Sequence, residues 1–190
     1  MLNASVLDQY PGVDTDAVQA LLEEKCRQDR HKIIVLDDDP TGVQTVHDVS
    51  VYTDWSYDSI KKGFEEDGKL FYILTNSRGF TVEQTTRAHL EIGETAAKVS
   101  EETGIDYVIV SRGDSTLRGH YPLETELLAR VEESHRGKPV DGEIICPYFK
   151  EGGRFTIDNI HYVKYGEQLV PAGETEFAGD KPFGYHSSDL

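Results

Sequence analysis

Apolar residues recur along this chain at two spacings, and the changes between them predict its elements. Val18, Leu21, Leu22 and Cys26 share one face at helical spacing, with Asp14 or Thr15 as the cap, so a helix is expected to about Asp29. Ahead of it, residues 1–14 hold Pro11, Gly12 and few apolar positions, and read as an arm. Ile33 to Leu36 is an unbroken apolar run, the pattern of a buried strand starting near Lys32. Val49 to Tyr52 predicts a short strand, Ser59 to Glu66 a weak helix closed by Asp67-Gly68, and Leu70 to Thr75 another strand. Thr81 to Glu102, with Val82, Leu90, Ile92 and Val99, predicts a long helix ended by Gly104. Tyr107 to Val110 predicts a strand, Pro122 to Glu133 a helix bearing Leu123, Leu127, Leu128 and Val131, and Gly142 to Cys146 a further strand.

After Lys150 the pattern changes. Phe155 to Val163 places β-branched and aromatic residues around Asp158-Asn159, a hairpin signal, and Gly166 to Pro171 predicts one more short strand. Gly173 to Leu190 is rich in Gly, Asp and Ser, and is expected to be poorly ordered or docked on a neighbour. The alternation of strand and helix predicts an α/β fold. It would be a doubly wound, mostly parallel sheet with flanking helices, plus a small β-hairpin region near the C-terminus. The expected divisions are an arm and helix over 1–31, the main domain over 32–172, and a connection to a further domain over 173–190.

Such a sheet gathers the carboxyl ends of its strands on one rim, where α/β folds bind ligands. Four apolar runs end there in polar residues with Gly or Pro. The first ends in Asp37-Asp38-Asp39-Pro40-Thr41-Gly42, where Pro40 and Gly42 forbid the strand to continue. The second ends in Asn76-Ser77-Arg78-Gly79, the third in Ser111 to Gly119, and the fourth in Pro147-Tyr148-Phe149.

Composition narrows the ligand. The 190 residues hold 35 acids against 19 Lys and Arg, a formal charge of -16, which argues against nucleic acid and anionic membrane as partners. A small anion needs only a local arginine cluster. Cys26 and Cys146 show no metal-ligand spacing, and there is no long apolar run or signal peptide, so a cytoplasmic location with free thiols is expected.

At the rim, Arg78, Arg112 and Arg118 are forked donors suited to carboxylate or phosphate, and Asp37, Asp38 and Asp39 are acceptors or bases. Asn76, Ser77, Ser111, Ser115 and Thr116 add short polar groups, while Gly79, Gly113 and Gly119 allow close backbone approach. The set describes a pocket for a small, hydroxylated, anionic molecule, with Arg78 as acid clamp and an aspartate taking a hydroxyl proton. On that view Arg78→Ala abolishes acid binding and leaves the fold intact. The competing view is that the arginines merely pair with the aspartates. Adjacent residues of an extended chain point opposite ways, so no metal is expected at the triplet. Asp37-Asp38-Asp39-Pro40-Thr41 also fits the Asp-x-Asp-x-Thr pattern of haloacid-dehalogenase-like phosphohydrolases, with Asp37 as nucleophile, although a matching lysine and terminal acidic pair are missing. No Gly-x-Gly-x-x-Gly follows the first strand.

Three motifs together, Asp38-Asp39-Pro40-Thr41-Gly42, Asn76-Ser77-Arg78-Gly79 and Asp114-Ser115-Thr116-Leu117-Arg118-Gly119-His120, resemble the amino-terminal, substrate-binding domain of the four-carbon acid sugar kinases. Gly153-Arg154-Phe155-Thr156, His161-Tyr162-Val163 and Pro171 to Ala178 extend the resemblance. It implies an ATP-dependent kinase for threonate, erythronate or 3-oxo-tetronate-like acids. Asp38 and Asp39 would be the catalytic acids. Those two, with Asn76, Ser77, Arg78, Asp114, Ser115, Thr116, Leu117 and Arg118, would contact substrate. It implies ATP and Mg2+ for the complete enzyme, held by a nucleotide-binding domain or chain, so these residues alone are expected to be inactive. A stand-alone sugar-acid-binding module is the non-catalytic alternative, and a homo-oligomer is compatible with either.

Overall fold

The computed structural model describes residues 1–190, apart from the side chain of Thr45. A short strand β1 (Leu2–Asn3) leads through a 3-10 turn at Ala4–Gln9 to helix α1 (Thr15–Gln28). Asp14 caps that helix, accepting the Ala17 N–H at 3.0 Å. Then follow β2 (Lys32–Asp37), β3 (Val51–Tyr52), α2 (Tyr57–Glu65), β4 (Leu70–Leu74), α3 (Val82–Thr103), β5 (Tyr107–Arg112) and α4 (Leu123–Arg136). The last strands are β6 (Arg154–Ile157), β7 (Ile160–Tyr165) and β8 (Gln168–Pro171).

The fold is α/β. A four-stranded parallel sheet runs in the order β3-β4-β2-β5. In its register Ile34 lies between Phe71 and Ile109, and Leu36 beside Ile73. That face meets Ile60 and Phe64 of α2, Ile92, Ala96 and Val99 of α3, and Leu128 and Val131 of α4 in one core. Helix α3 is set by a capping box between Thr81 and Gln84 and stopped by Gly104 at φ 68. The opposite face is less covered: Val108 and Val110 of the edge strand are 50% and 44% exposed. Helix α1 buries none of its residues, and its apolar stripe of Val18, Leu21 and Leu22 lies open.

A second sheet, order β1-β8-β7-β6, is antiparallel throughout. Asp158 and Asn159 turn β6 into β7 with φ 48 and 67, the left-handed pair that a tight hairpin demands. Ala4, Ile157, Tyr162 and Leu169 form its small core. The first residues are thus not a loose arm: β1 completes this sheet and Ala4 enters its core.

Two expectations need correction. Gly142 to Cys146 is not a strand, and Ile144 is 94% exposed. This segment is tied at both ends to other elements instead. Val140 N–H reaches back to Glu133 of α4 (3.0 Å), and Phe149 exchanges backbone hydrogen bonds with Arg154 of β6 (3.2 and 2.8 Å). The final segment is not free either. Leu190 N–H donates to Asn159 O (3.0 Å), His161 N–H to Ser188 O (2.8 Å), and Gly173 N–H to Ser188 Oγ (2.8 Å). Its Gly and Ser content reads as loop, but those residues let the backbone lie close: a Cβ on Gly173 would stand 2.7 Å from His186 O. No helix is long and apolar enough to cross a membrane, among the described residues.

Gly63 of α2 shows how tightly the core is closed. A Cβ there would come within 2.7 Å of the buried Phe71 ring. Replacing an interior helical glycine by alanine gains roughly 1 kcal/mol of helix propensity, whereas overpacking a core costs about 1–3 kcal/mol. We therefore expect Gly63→Ala to lower the midpoint of thermal unfolding; a raised midpoint would mean that Phe71 repacks freely.

Candidate functional site

Because β2, β4 and β5 are parallel, their carboxyl ends meet at one rim, and backbone bonds lock the three ends together. Thr75 donates its amide and its hydroxyl to Asp37 O (3.0 and 2.9 Å). Arg78 N–H donates to Asp38 O (3.2 Å), and Asp38 N–H to Arg112 O (3.3 Å). The chain bends as it leaves β2 after Asp37, so the carboxylates of Asp37, Asp38 and Asp39 converge, with one oxygen from each lying within 4.8 Å of the others. The alternation argument that set them apart holds only inside an extended strand.

Two arginines answer this charge. Arg78 grips Asp38 with Nε and Nη2, each at 2.8 Å, and reaches Asp39 with Nη1. Arg112 Nη1 stands 3.2 Å from Asp37, 3.6 Å from Asp38 and 3.5 Å from Asp39. That nitrogen occupies the position a shared cation would take, so the triplet as arranged does not fit Mg2+. Asp37 is fully buried, and its carboxylate presses on the backbone at Gly42, where a Cβ would stand in its place. Burial pushes Asp37 up to about 6, against the pull of Arg112. Burial also raises Asp38, outweighing Arg78. For Asp39 burial is overcome by the Thr41 hydrogen bonds and the two arginines, which hold its carboxyl below the usual range.

The third loop leans on the first two. Gly119, at φ 134, brings its backbone close enough that a Cβ would stand 4.0 Å from Asp38 Oδ2. Leu117 adopts φ 64, an unusual conformation for a bulky side chain, held as its N–H bonds to Asp114 O (2.9 Å). Asp114 accepts from the Thr116 hydroxyl and from Arg118 Nε (2.7 Å). Burial opposes, but these bonds win and keep Asp114 below its usual range. His161 of β7 ties the second sheet to the rim. Its Nε2 bonds to Ser115 O (2.8 Å), and its Nδ1 to Thr156 Oγ1 (2.9 Å). Burial lowers its pKa. In the neutral ring Nε2–H donates to the carbonyl while Nδ1 accepts the hydroxyl proton.

The rim thus brings together all ten predicted contact residues, in different states. Asn76 is exposed, with a left-handed backbone (φ 53). Asp39 and Arg118 are partly open, whereas Asp38, Ser77 and Thr116 are buried and bonded within the protein. Arg78 is committed to the aspartates, the pairing that competed with its reading as a free clamp.

Sequence reasoning missed a polar layer beneath. Ser77 Oγ contacts Thr75 Oγ1 (2.9 Å) and, at the limit of hydrogen bonding, Glu124 of α4 (3.5 Å). Glu124 lies 3.6 Å from His89 Nε2, and His89 Nδ1 bonds to Thr85 O (2.9 Å). Burial, then the Asp38 charge, raises the Glu124 carboxyl, and burial lowers His89. A signal was available: Glu124 shares the helical face of Leu127, Leu128 and Val131, and an acid on an apolar stripe is out of place there. A depression of about 500 Å3 lined by Thr53, Trp55, Glu91 and Thr95 gathers none of these groups.

A family model described as the sugar-binding N-terminal domain matches residues 33–190. No curated protein matches the chain.

Removing Arg78 leaves Asp38 buried without its main partner, and breaking such a pair costs about 3–5 kcal/mol. We expect Arg78→Ala to lose that much stability in denaturant unfolding, so that the fold itself is weakened and not binding alone. The Asp37 shift sets a pH dependence. Its folded pKa lies above the ordinary value of 3.8, so its favourable contribution is full below pH 3.8 and is lost as pH rises through about 6. Asp37→Asn should gain stability over the native chain between pH 4 and pH 8, read as the difference in unfolding midpoints; a constant difference would contradict the shift.

Proposed function

The chain belongs to the sugar-binding N-terminal domain family, the amino-terminal domain of the four-carbon acid sugar kinases, and from that premise we propose that it is the substrate-binding half of an ATP-dependent kinase for a four-carbon sugar acid. Threonate, erythronate and 3-oxo-tetronate are the intended class. The observation that supports this most is the convergence of Asp39, Asn76 and Arg118 from three strand ends onto one rim, partly open to solvent. A hydroxylated acid needs that combination: a fork for its carboxylate and a carboxylate for its hydroxyls.

Asp39 is the hydroxyl acceptor, since its side chain is the most exposed of the triplet and its carboxyl is held below the usual range. Asp38 and Arg78 hold the rim in shape, and the Asp114 to Arg118 loop takes the acid end. When bound, ATP with Mg2+ supplies the phosphoryl group and the charge neutralisation it needs. The nucleotide partner is a separate domain or chain, and the division of labour is 1–31 as support, 32–172 as sugar-acid domain and 173–190 as the connection. A cytoplasmic location suits the exposed thiols of Cys26 and Cys146. The phosphohydrolase alternative finds no support in the geometry, because a nucleophilic Asp37 would be fully buried.

Thermal-shift and calorimetric titrations test the proposal. Threonate or erythronate should stabilise the chain, ATP with Mg2+ should not, and no phosphate transfer should occur until a nucleotide-binding domain is supplied. Stabilisation by ATP alone, or hydrolysis of a generic phosphate ester lost in Asp37→Asn, would overturn it. Acid binding with no transfer under any nucleotide domain would leave the stand-alone binding module.

A further inference from the structure

The three rim arginines are not equally free. Arg78 spends all three nitrogens on Asp38 and Asp39. Arg112 points one nitrogen into the acid triplet. Arg118 differs: Nε is held by Asp114 (2.7 Å) and Thr116 Oγ1 (3.2 Å), while Nη1 lies 3.7 Å from Asp180, too far for a hydrogen bond. Among the described residues its Nη2 has no hydrogen-bond partner, so its outer edge, like the other nitrogens of Arg112, can still take a ligand.

What fixes the plane of that fork comes from the C-terminal segment. The Arg118 guanidinium lies over the Phe177 ring, 5.4 Å from its centroid, and Arg154 lies over the same ring at 5.6 Å. Both separations are in the range where a cation is attracted to a ring face. The ring is half-buried, and its backbone is held locally by Asp180 N–H, which donates to Phe177 O at 3.3 Å. The segment that carries it is clamped through Ser188 to Gly173 and His161, and Tyr185 bonds Ala172 O with its hydroxyl (3.2 Å). A bidentate grip on a carboxylate needs the guanidinium plane fixed in advance, because a free fork loses rotamer entropy on binding. Asp114 fixes one edge of Arg118, and the Phe177 face fixes its tilt.

We propose that Phe177 is a positioning residue that sets Arg118 as the carboxylate clamp of the sugar-acid site. It does not touch the ligand; it acts through the arginine. The inference rests on the sugar-acid reading above and adds to it the residue that makes the acid end specific. It also gives the final segment a part in the site beyond leading to another domain.

The test is a calorimetric titration of threonate or erythronate into Phe177→Leu and Phe177→Trp, with the unfolding midpoint measured on each. Leucine keeps an apolar side chain of similar bulk but removes the π face, so Phe177→Leu should fold like the native chain and bind the acid about 2- to 30-fold more weakly, the range of a cation–ring contact. Phe177→Trp should bind more tightly than Phe177→Leu by at least that factor, since indole offers the better face, although it is the larger change in bulk. A purely packing role predicts the reverse order. In the Arg118→Gln background the Phe177→Leu loss should vanish, because the arginine it acts through is gone. Equal affinity of the native chain and Phe177→Leu, or a loss that persists without Arg118, overturns the inference and leaves the sugar-acid reading standing. A native chain that binds no four-carbon acid overturns both.

Discussion

Three aspartates at the end of a central strand cannot be buried by themselves. Asp37 and Asp38 are almost wholly out of water, and their charges lie within a few ångströms of each other and of Asp39. Desolvation alone would protonate or unfold such a cluster. Arg78 and Arg112 make it tolerable, and each arrives from a different strand end. The ion cluster therefore requires β4 and β5 to flank β2 in parallel, and the three backbone bonds at Asp37 and Asp38 hold that arrangement. The cluster has three acids for two arginines, and burial, reinforced by the neighbouring acids, holds Asp37 up at about 6. A ligand brought to this edge meets a field already organised by the protein, not loose side chains that must be ordered on binding.

The second sheet serves the same rim from the other side. Neutral His161 fixes the carbonyl of Ser115, which shapes the loop from Asp114 to Arg118, and the segment after β8 brings Phe177 and Asp180 against Arg118. Here a small core of Ala4, Ile157, Tyr162 and Leu169 supports a polar edge that carries the chemistry. Even the amino-terminal residues take part, since β1 closes this sheet. Both sheets thus support the rim, although its candidate groups concentrate in three loops.

Much of this was legible in the sequence because it rests on local rules. Ile33 to Leu36 ending in acids, the helical repeat stopped by Gly104, and Asp158-Asn159 each state their structure within a few residues. What was not legible depended on partners far away. Ile144 and Ile145 look like strand residues, but whether they pair is decided by the ties at Val140 and Phe149. Leu2 and Ala4 carry no pattern of their own and become ordered only against β8. At the site, Arg78 follows an apolar run, but no local pattern says that its fork closes on Asp38. Phe177 lies in a stretch that reads as loop, and its role depends on a ring-to-arginine distance that no spacing encodes.

The most direct measurement is a crystal structure with threonate bound. The ligand carboxylate should lie on the outer edge of Arg118 and a hydroxyl on Asp39, with the Arg78–Asp38 pair unbroken. A ligand held outside this rim, or a carboxylate on Arg78 with Asp38 displaced, would contradict it.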